Sequence, residues 1–130
     1  MMSSSTRHLF WALAANFALM AGPSSAESEV ELLMVEARGC IYCERWHAEV
    51  GPGFPATAEG KFAPLRRIDI SDPFPDAINL TSRPVFTPTF ILLAKGQEIG
   101  RIEGYPGEDF FWGLFARLLQ TETDFSEGVS

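Results

Sequence analysis

The chain has 130 residues, and its 46% hydrophobic and 12% aromatic content is enough for one small domain with an apolar core and argues against a disordered chain. Its 17 acidic residues outnumber its 10 basic residues and give a formal net charge of −7. Such a surface does not suit nucleic acid or anionic lipid. We therefore expect no nucleic-acid partner, and we expect a monomer.

The first 26 residues have the pattern of a cleavable signal peptide. A short basic region precedes an apolar stretch over residues 9–21, and Ser24 and Ala26 are small residues at the −3 and −1 positions of a cleavage point. The stretch is shorter than the about 20 apolar residues that span a bilayer, although an uncleaved anchor is the alternative. The sequence therefore predicts a signal peptide over 1–26, a mature domain over 27–130 and a periplasmic location.

Strand and helix patterns alternate along the mature chain, separated by Gly and Pro. The predicted elements, in chain order, are a buried strand over 30–35, a helix over 40–50, one or two helical turns within 54–61, a strand over 65–70, a short helix over 76–81, a hairpin of strands over 89–94 and 97–103, and a helix over 108–120. This order predicts an α/β domain in which a four-stranded mixed sheet is flanked by helices on both faces.

The last helix carries the strongest apolar periodicity. Six residues at helical spacing predict its buried face: Phe110, Phe111, Leu114, Phe115, Leu118 and Leu119. Gly113, inside the same helix, costs about 1 kcal/mol relative to Ala. We expect Gly113 to permit a close contact between this helix and the sheet.

The only two cysteines, Cys40 and Cys43, stand at the junction of the first strand and the helix that follows. Two residues between them allow a disulfide across a tight turn. The positive N-terminal end of a helix favours the thiolate of the first cysteine, and the thiolate is the nucleophile in disulfide exchange. The motif therefore predicts thiol–disulfide chemistry.

Two other roles are open to this cysteine pair. Cys40, Cys43 and His47 could hold a metal, but structural zinc sites use four protein ligands and the chain has no second cysteine pair. A purely structural disulfide would close so short a loop that it constrains little of the unfolded chain. We therefore expect no metal and no cofactor.

With Cys40-Ile41-Tyr42-Cys43 at the first strand–helix junction and Thr87-Pro88-Thr89 before the third strand, the chain resembles the thioredoxin-fold superfamily over residues 30–120. The resemblance implies a thioredoxin-like fold in which Pro88 is cis and faces the cysteines, and in which Thr87 helps to hold the substrate backbone. It also implies a substrate contact for Tyr42, inside the motif.

Two further segments, 86–90 and 100–107, look like the exported SoxS-type thioredoxins of sulfur-oxidising bacteria. This resemblance implies a periplasmic reductant that keeps the cysteine of a thiosulfate-oxidation carrier protein free. It implies electrons from a membrane thiol transporter as well, because a cysteine pair left alone in an oxidising compartment becomes a disulfide.

The chain departs from the thioredoxin pattern near the motif. Gly39 stands where thioredoxins have Trp, and Ile41-Tyr42 replaces their Gly-Pro dipeptide. Met34 occupies the position of the buried Asp that accepts the proton of the second thiol in thioredoxins. Glu36 is the nearest candidate for this proton transfer, and a solvated carboxylate at the end of the strand is the alternative.

The predicted mechanism has two steps, in which Cys40 attacks a substrate disulfide and Cys43 then attacks Cys40 and releases the reduced substrate. Two alternatives remain open. An oxidase or isomerase would use the same cysteines with another direction of electron flow. A non-catalytic binding or chaperone module would use an apolar groove around Tyr42, Pro88 and Tyr105.

Overall fold

The computed structural model describes residues 29–127, so the predicted signal peptide lies outside the described residues. The elements are, in chain order, β1 (Val30–Glu36), α1 (Ile41–Glu49), a 3₁₀ turn (Phe54–Ala56), α2 (Ala58–Phe62), β2 (Leu65–Asp69), β3 (Thr89–Ala94), β4 (Gln97–Glu103) and α3 (Glu108–Glu122). These agree with the predicted elements except for the helix predicted over 76–81. No helix within the described residues is long and apolar enough to cross a membrane.

The four strands form one mixed sheet in the order β2-β1-β3-β4. β1 runs parallel to β2, and the crossover between them contains α1 and α2, as a parallel pair requires. β3 is antiparallel to β1, with Thr89 opposite Val35, and β3 and β4 form the predicted hairpin. The predicted four-stranded mixed sheet flanked by helices is therefore confirmed.

The helices pack together on one face of the sheet, which we call the helical face. Alternate residues of the central strands point to it, Leu32 and Met34 from β1 and Phe90 and Leu92 from β3, because strand side chains alternate between faces. Trp46, at the centre of this core, contacts the rings of three phenylalanines: Phe54, Phe90 and Phe111. Its indole Nε1 is buried and has no hydrogen-bond partner among the described residues.

The opposite face, which we call the loop face, is covered by the segment 70–88 rather than by a helix. The prediction of helices on both faces and of a helix over 76–81 is therefore wrong. Phe74, Ile78 and Leu80 of this segment pack on the sheet. The backbone of Asn79 bonds to β4 instead of to a helical turn, its N–H to Gly96 O at 2.8 Å and its carbonyl to the N–H of Glu98 at 2.9 Å.

α3 buries a narrower stripe than its sequence predicts. Phe111, Phe115 and Leu119 are fully buried, whereas Phe110 is 70% exposed and Leu114 44% exposed. A Cβ on Gly113 would meet open space, so the expected close contact between this glycine and the sheet is absent. Leu118 is partly buried and packs at the edge of this stripe.

Candidate active site

The two cysteines are joined by a disulfide at the amino end of α1, with their Cα atoms 5.2 Å apart. Cys40 is the N-cap residue of the helix, and its sulfur accepts a hydrogen bond from the backbone N–H of Cys43 at 3.2 Å. Gly39, directly before it, has a φ of 72°, which glycine adopts more readily than any other residue. This glycine lets the chain turn sharply from β1 into the motif.

The environments of the two sulfurs differ. Cys43 is 3% exposed and belongs to the core of the helical face, whereas Cys40 is only partly buried. A partner can therefore approach Cys40 more readily than Cys43. The backbone N–H of Cys43, in the first turn of α1, is directed at the Cys40 sulfur, and such groups stabilise a thiolate.

Thr87 and Pro88 lie at the same end of the sheet as the disulfide. The peptide bond between them is cis, as the resemblance implied. Thr89 pairs with Val35, so that Pro88 lies beside the end of β1 from which the chain runs into Cys40. Pro88 itself is buried, and its carbonyl accepts a hydrogen bond from the N–H of Gly104 at 2.7 Å.

Exposed apolar side chains surround this end of the molecule. Ile41 and Tyr42 lie between the cysteines, and Val85 and Phe86 precede the cis bond; all four are more than half exposed. We call these four residues the apolar rim. Exposed side chains of this size are typical of surfaces that bind another protein.

Tyr105, by contrast, is not part of an open groove. It is 5% exposed, its hydroxyl donates a hydrogen bond to Glu49, and the guanidinium of Arg45 lies over its ring. Burial and the neighbouring carboxylate of Glu49 raise the pKa of Tyr105. Its contacts tie α1 to the loop before α3, so the groove predicted around Tyr42, Pro88 and Tyr105 loses this residue.

Glu36, the candidate for proton transfer, extends from the end of β1 toward α1. One carboxylate oxygen accepts a hydrogen bond from His47 Nε2 at 2.6 Å, and the other binds the guanidinium of Arg67, with Nη2 also at 2.6 Å. Burial alone would raise the pKa of Glu36, but the hydrogen bonds and charges of Arg67 and His47 outweigh it and hold that pKa below its ordinary value. The side chain is 19% exposed, so Glu36 is partly shielded and ion-paired rather than freely solvated, and its part in proton transfer stays a prediction.

His47 and Arg67 were not singled out by the sequence as partners of Glu36. His47 follows Cys43 by four residues and therefore lies on the same face of α1, a spacing that the sequence does show. Arg67 reaches Glu36 only because β2 pairs in parallel with β1. That pairing joins residues 31 positions apart and leaves no local signal.

No group of three or more His, Cys, Asp or Glu side chains within residues 29–127 has the arrangement of a metal site. In the structure the two cysteine sulfurs bind each other and His47 binds Glu36. The three residues of the alternative metal site are thus engaged in other contacts.

The chain is similar to solved thioredoxin structures, whereas no protein-family model and no curated protein matches it. It is 52% identical to the periplasmic thioredoxin SoxS from Paracoccus pantotrophus, solved in its reduced form, over 71% of this chain and 97% of that one, with a TM-score of 0.70. A mutant thioredoxin from Halobacterium salinarum is 19% identical over 76% of this chain and 79% of its own, with a TM-score of 0.49. A thioredoxin from Fasciola hepatica is 17% identical over 70% and 82%, with a TM-score of 0.46.

The identity to the periplasmic thioredoxin extends over almost all of that protein. This chain also has a four-stranded mixed sheet, paired cysteines at the start of α1 and a cis bond before Pro88. The chain therefore belongs to the SoxS-type thioredoxins of the thioredoxin-fold superfamily, and it is a thiol–disulfide oxidoreductase.

Proposed function

We propose that this protein is exported to the periplasm and reduces a protein disulfide, with Cys40 as the attacking thiolate and Cys43 as the resolving thiol. The observation that carries the proposal is the contrast between the two sulfurs. Cys40 is accessible and begins α1, whereas Cys43 is 3% exposed. A helix N-terminus favours the thiolate, so the accessible sulfur is also the better nucleophile.

The reaction transfers two electrons from the reduced cysteine pair to the substrate. The Cys40 thiolate attacks one sulfur of the substrate disulfide, and the other substrate sulfur leaves as a thiolate and takes up a proton. Cys43 then loses its proton and attacks Cys40, which forms the Cys40–Cys43 disulfide and releases the second substrate sulfur. An electron donor must reduce this disulfide before the next cycle.

Glu36 is proposed to assist the second step through His47. Its lowered pKa keeps Glu36 ionised at neutral pH, which makes it a weak base but a good partner for a positively charged imidazole. His47 lies one helical turn after Cys43 and is hydrogen-bonded to Glu36. The proton of Cys43 is therefore proposed to pass to His47 while Glu36 orients the ring.

Tyr42, Thr87 and Pro88 are proposed to contact the substrate next to Cys40. Their position at one end of the sheet, beside the exposed side chains of the apolar rim, supports this role. An extended substrate segment could lie along the backbone before the cis bond while its apolar side chains cover the rim.

The physiological partners are proposed from the resemblance. The solved relative is a periplasmic thioredoxin, and SoxS-type thioredoxins imply a carrier protein of thiosulfate oxidation as substrate and a membrane thiol transporter as electron donor. A periplasmic reductase needs such a donor, because the compartment itself oxidises cysteine pairs. A redox titration separates this role from that of an oxidase, since reducing thioredoxins lie near −270 mV and strong oxidants near −120 mV.

Trapping of the mixed disulfide tests the proposed order of attack. Cys43→Ser keeps the attacker and removes the resolving thiol, so substrates should accumulate as complexes joined through Cys40 that dithiothreitol dissolves. Cys40→Ser is the matched control and should trap little, because the remaining thiol is buried.

The exposed apolar rim also suits a second candidate function, a binding or chaperone module.

The doubly substituted protein decides between these two functions. A binding module retains its partners after both cysteines are replaced by Ser, and reductant does not release them. If the double variant captures the same partners from a periplasmic extract in the same yield, the reductase proposal is wrong.

A further inference from the structure

A partly buried ion pair lies on the loop face of β4, far along the chain from the cysteines. Arg101 donates from Nε to Glu98 Oε1 at 2.6 Å and from Nη2 to Glu98 Oε2 at 2.8 Å, a two-pronged contact. The two side chains are 15% and 4% exposed. Pairs so shielded are costly to desolvate, and they persist where additional hydrogen bonds complete the geometry.

A β-bulge brings these two residues to the same face. Residues three apart in a regular strand point to opposite faces. Here Leu93 pairs with Glu98 and Leu92 with Gly100, so that Ile99 is the extra residue of the bulge. Gly100 then faces the helical side, where a Cβ would lie 2.5 Å from Leu118 Cδ1.

The ion pair holds the backbone of the segment that crosses the loop face. Glu98 Oε2 accepts a hydrogen bond from the N–H of Thr81 at 2.7 Å, and Arg101 Nη2 donates to the carbonyl of Ser82 at 2.7 Å. One N–H and one carbonyl of consecutive residues are thus fixed by a single pair of side chains. The segment 70–88 has no helix or strand of its own that would supply these partners.

Thr81 and Ser82 are the root of the loop that carries half of the apolar rim. Val85 and Phe86 follow three to four residues after Ser82 and are 73% and 57% exposed. Beyond Ser82, Arg83 donates to the carbonyl of Ile70 at 3.4 Å. Its guanidinium also lies over the ring of Phe74, and Pro84 is buried. The next hydrogen bond along the described chain is from Thr89 to Phe86 O.

We propose that Glu98 and Arg101 are positioning residues that set the affinity of this oxidoreductase for protein substrates. They hold the root of the rim loop in its bound arrangement, so that docking of a substrate does not have to order the loop. They touch neither the cysteines nor the substrate. The inference depends on the proposed function, in which the rim contacts a protein disulfide.

The test compares a protein disulfide with a small one. Arg101→Lys keeps the charge beside Glu98, but it replaces the planar contact of two nitrogens with a single ammonium group, which weakens the hold on the carboxylate and on Ser82 O. With reduced enzyme, kcat/KM for insulin should fall about tenfold through KM, as the loss of roughly 1.4 kcal/mol of binding gives. The rate with 5,5′-dithiobis(2-nitrobenzoate), which needs no docking surface, and the reduction potential should stay unchanged.

Arg66→Lys is the matched control, because Arg66 forms an exposed ion pair with Glu31 on β1; it should leave both rates unchanged. Unchanged insulin kinetics in Arg101→Lys, or an equal fall for both disulfides, would overturn the inference. If Arg101→Lys does not fold, Glu98→Gln with Arg101→Gln removes both charges and must show the same result, a fall for insulin with an unchanged rate for the small disulfide. A wild-type protein that reduces only the small disulfide contradicts the proposed function instead.

Discussion

Cys40 and Cys43 have the same side chain and are three positions apart, yet their places on α1 give them different chemistry. Cys40 caps the helix and is reached from solvent, while Cys43 points into the core beside Trp46. The backbone N–H groups that lack partners in the first turn act on the capping residue. The difference between attacker and resolver therefore follows from a shift of one helical turn.

Brief alkylation of the reduced protein tests this difference. We expect iodoacetamide to modify Cys40 first, because its thiolate is favoured and accessible, and to modify Cys43 only after longer exposure. Mass spectrometry of the digested protein gives the two rates, with the fully denatured protein as the control in which both cysteines react alike. Faster modification of Cys43 would reverse the assigned roles.

Glu36 couples stability to pH at the same end of the sheet. The pKa of Glu36 is lowered from 4.5 in the folded protein. Its contribution to the free energy of unfolding is therefore complete above pH 4.5 and is lost as the pH falls through the lowered pKa. Glu36→Gln should lower the free energy of unfolding by about 1 kcal/mol at pH 7. The difference from wild type should shrink in urea unfolding curves taken from pH 5 down to pH 3.

Glu29→Gln is the control for this measurement. Glu29 forms an ion pair with Lys95 in which both side chains are more than 70% exposed. Its replacement should change the free energy of unfolding by less than about 0.5 kcal/mol at every pH. A loss of unfolding free energy in Glu36→Gln that does not shrink at all between pH 5 and pH 3 would mean that packing, and not the ion pair, accounts for the effect.

At the scale of elements, α3 separates apolar residues that stabilise the core from those that do not. Phe115 is fully buried and stacks on Phe54 with ring centroids 5.9 Å apart, while Phe110 on the same helix is 70% exposed. Phe115→Ala should cost about 3–5 kcal/mol of unfolding free energy, and Phe110→Ala less than about 0.5 kcal/mol. Equal losses in urea unfolding would show that Phe110 is covered in solution.

The strands and long helices could be predicted because local patterns specify them. The apolar run between Pro88 and the Lys95-Gly96 turn predicts the strand β3, and the turn predicts its hairpin with β4. The same holds for the disulfide, whose motif is short and continuous, whereas the cis bond before Pro88 was implied by the resemblance to the thioredoxin-fold superfamily. The exposed position of Phe110 could not be predicted, because the apolar spacing of α3 does not show how much of the helix surface the sheet covers.

Contacts between distant segments set the remaining features. The segment 76–81 has no helix because Asn79 bonds to β4, and no local pattern marks that partner. The bulge has a weak signal, a glycine inside a strand flanked by charges at Glu98 and Arg101. Its consequence, an ion pair that holds Thr81 and Ser82, depends on where the segment crosses the sheet.

Across the whole molecule, the two ends of the sheet have different roles. The disulfide, the cis bond and the apolar rim lie at the end where β1 finishes. The described chain begins at the other end, where Val30 pairs with Ala94 beside the turn between β3 and β4. The seven residues of β1 separate the two ends by about 23 Å. A segment joined to the amino end therefore starts far from Cys40.

This separation bears on the predicted export. We expect the mature protein to begin at Glu27, because Ser24 and Ala26 follow an apolar stretch too short to span a bilayer. N-terminal sequencing of the periplasmic fraction gives the start. Ala26→Arg is the control and should retain the first 26 residues while the cysteines still react, since the chain enters β1 at the opposite end from Cys40. Recovery of the wild-type chain only in the cytosol with its first methionines intact would contradict export, and with it the need for an electron donor across the membrane.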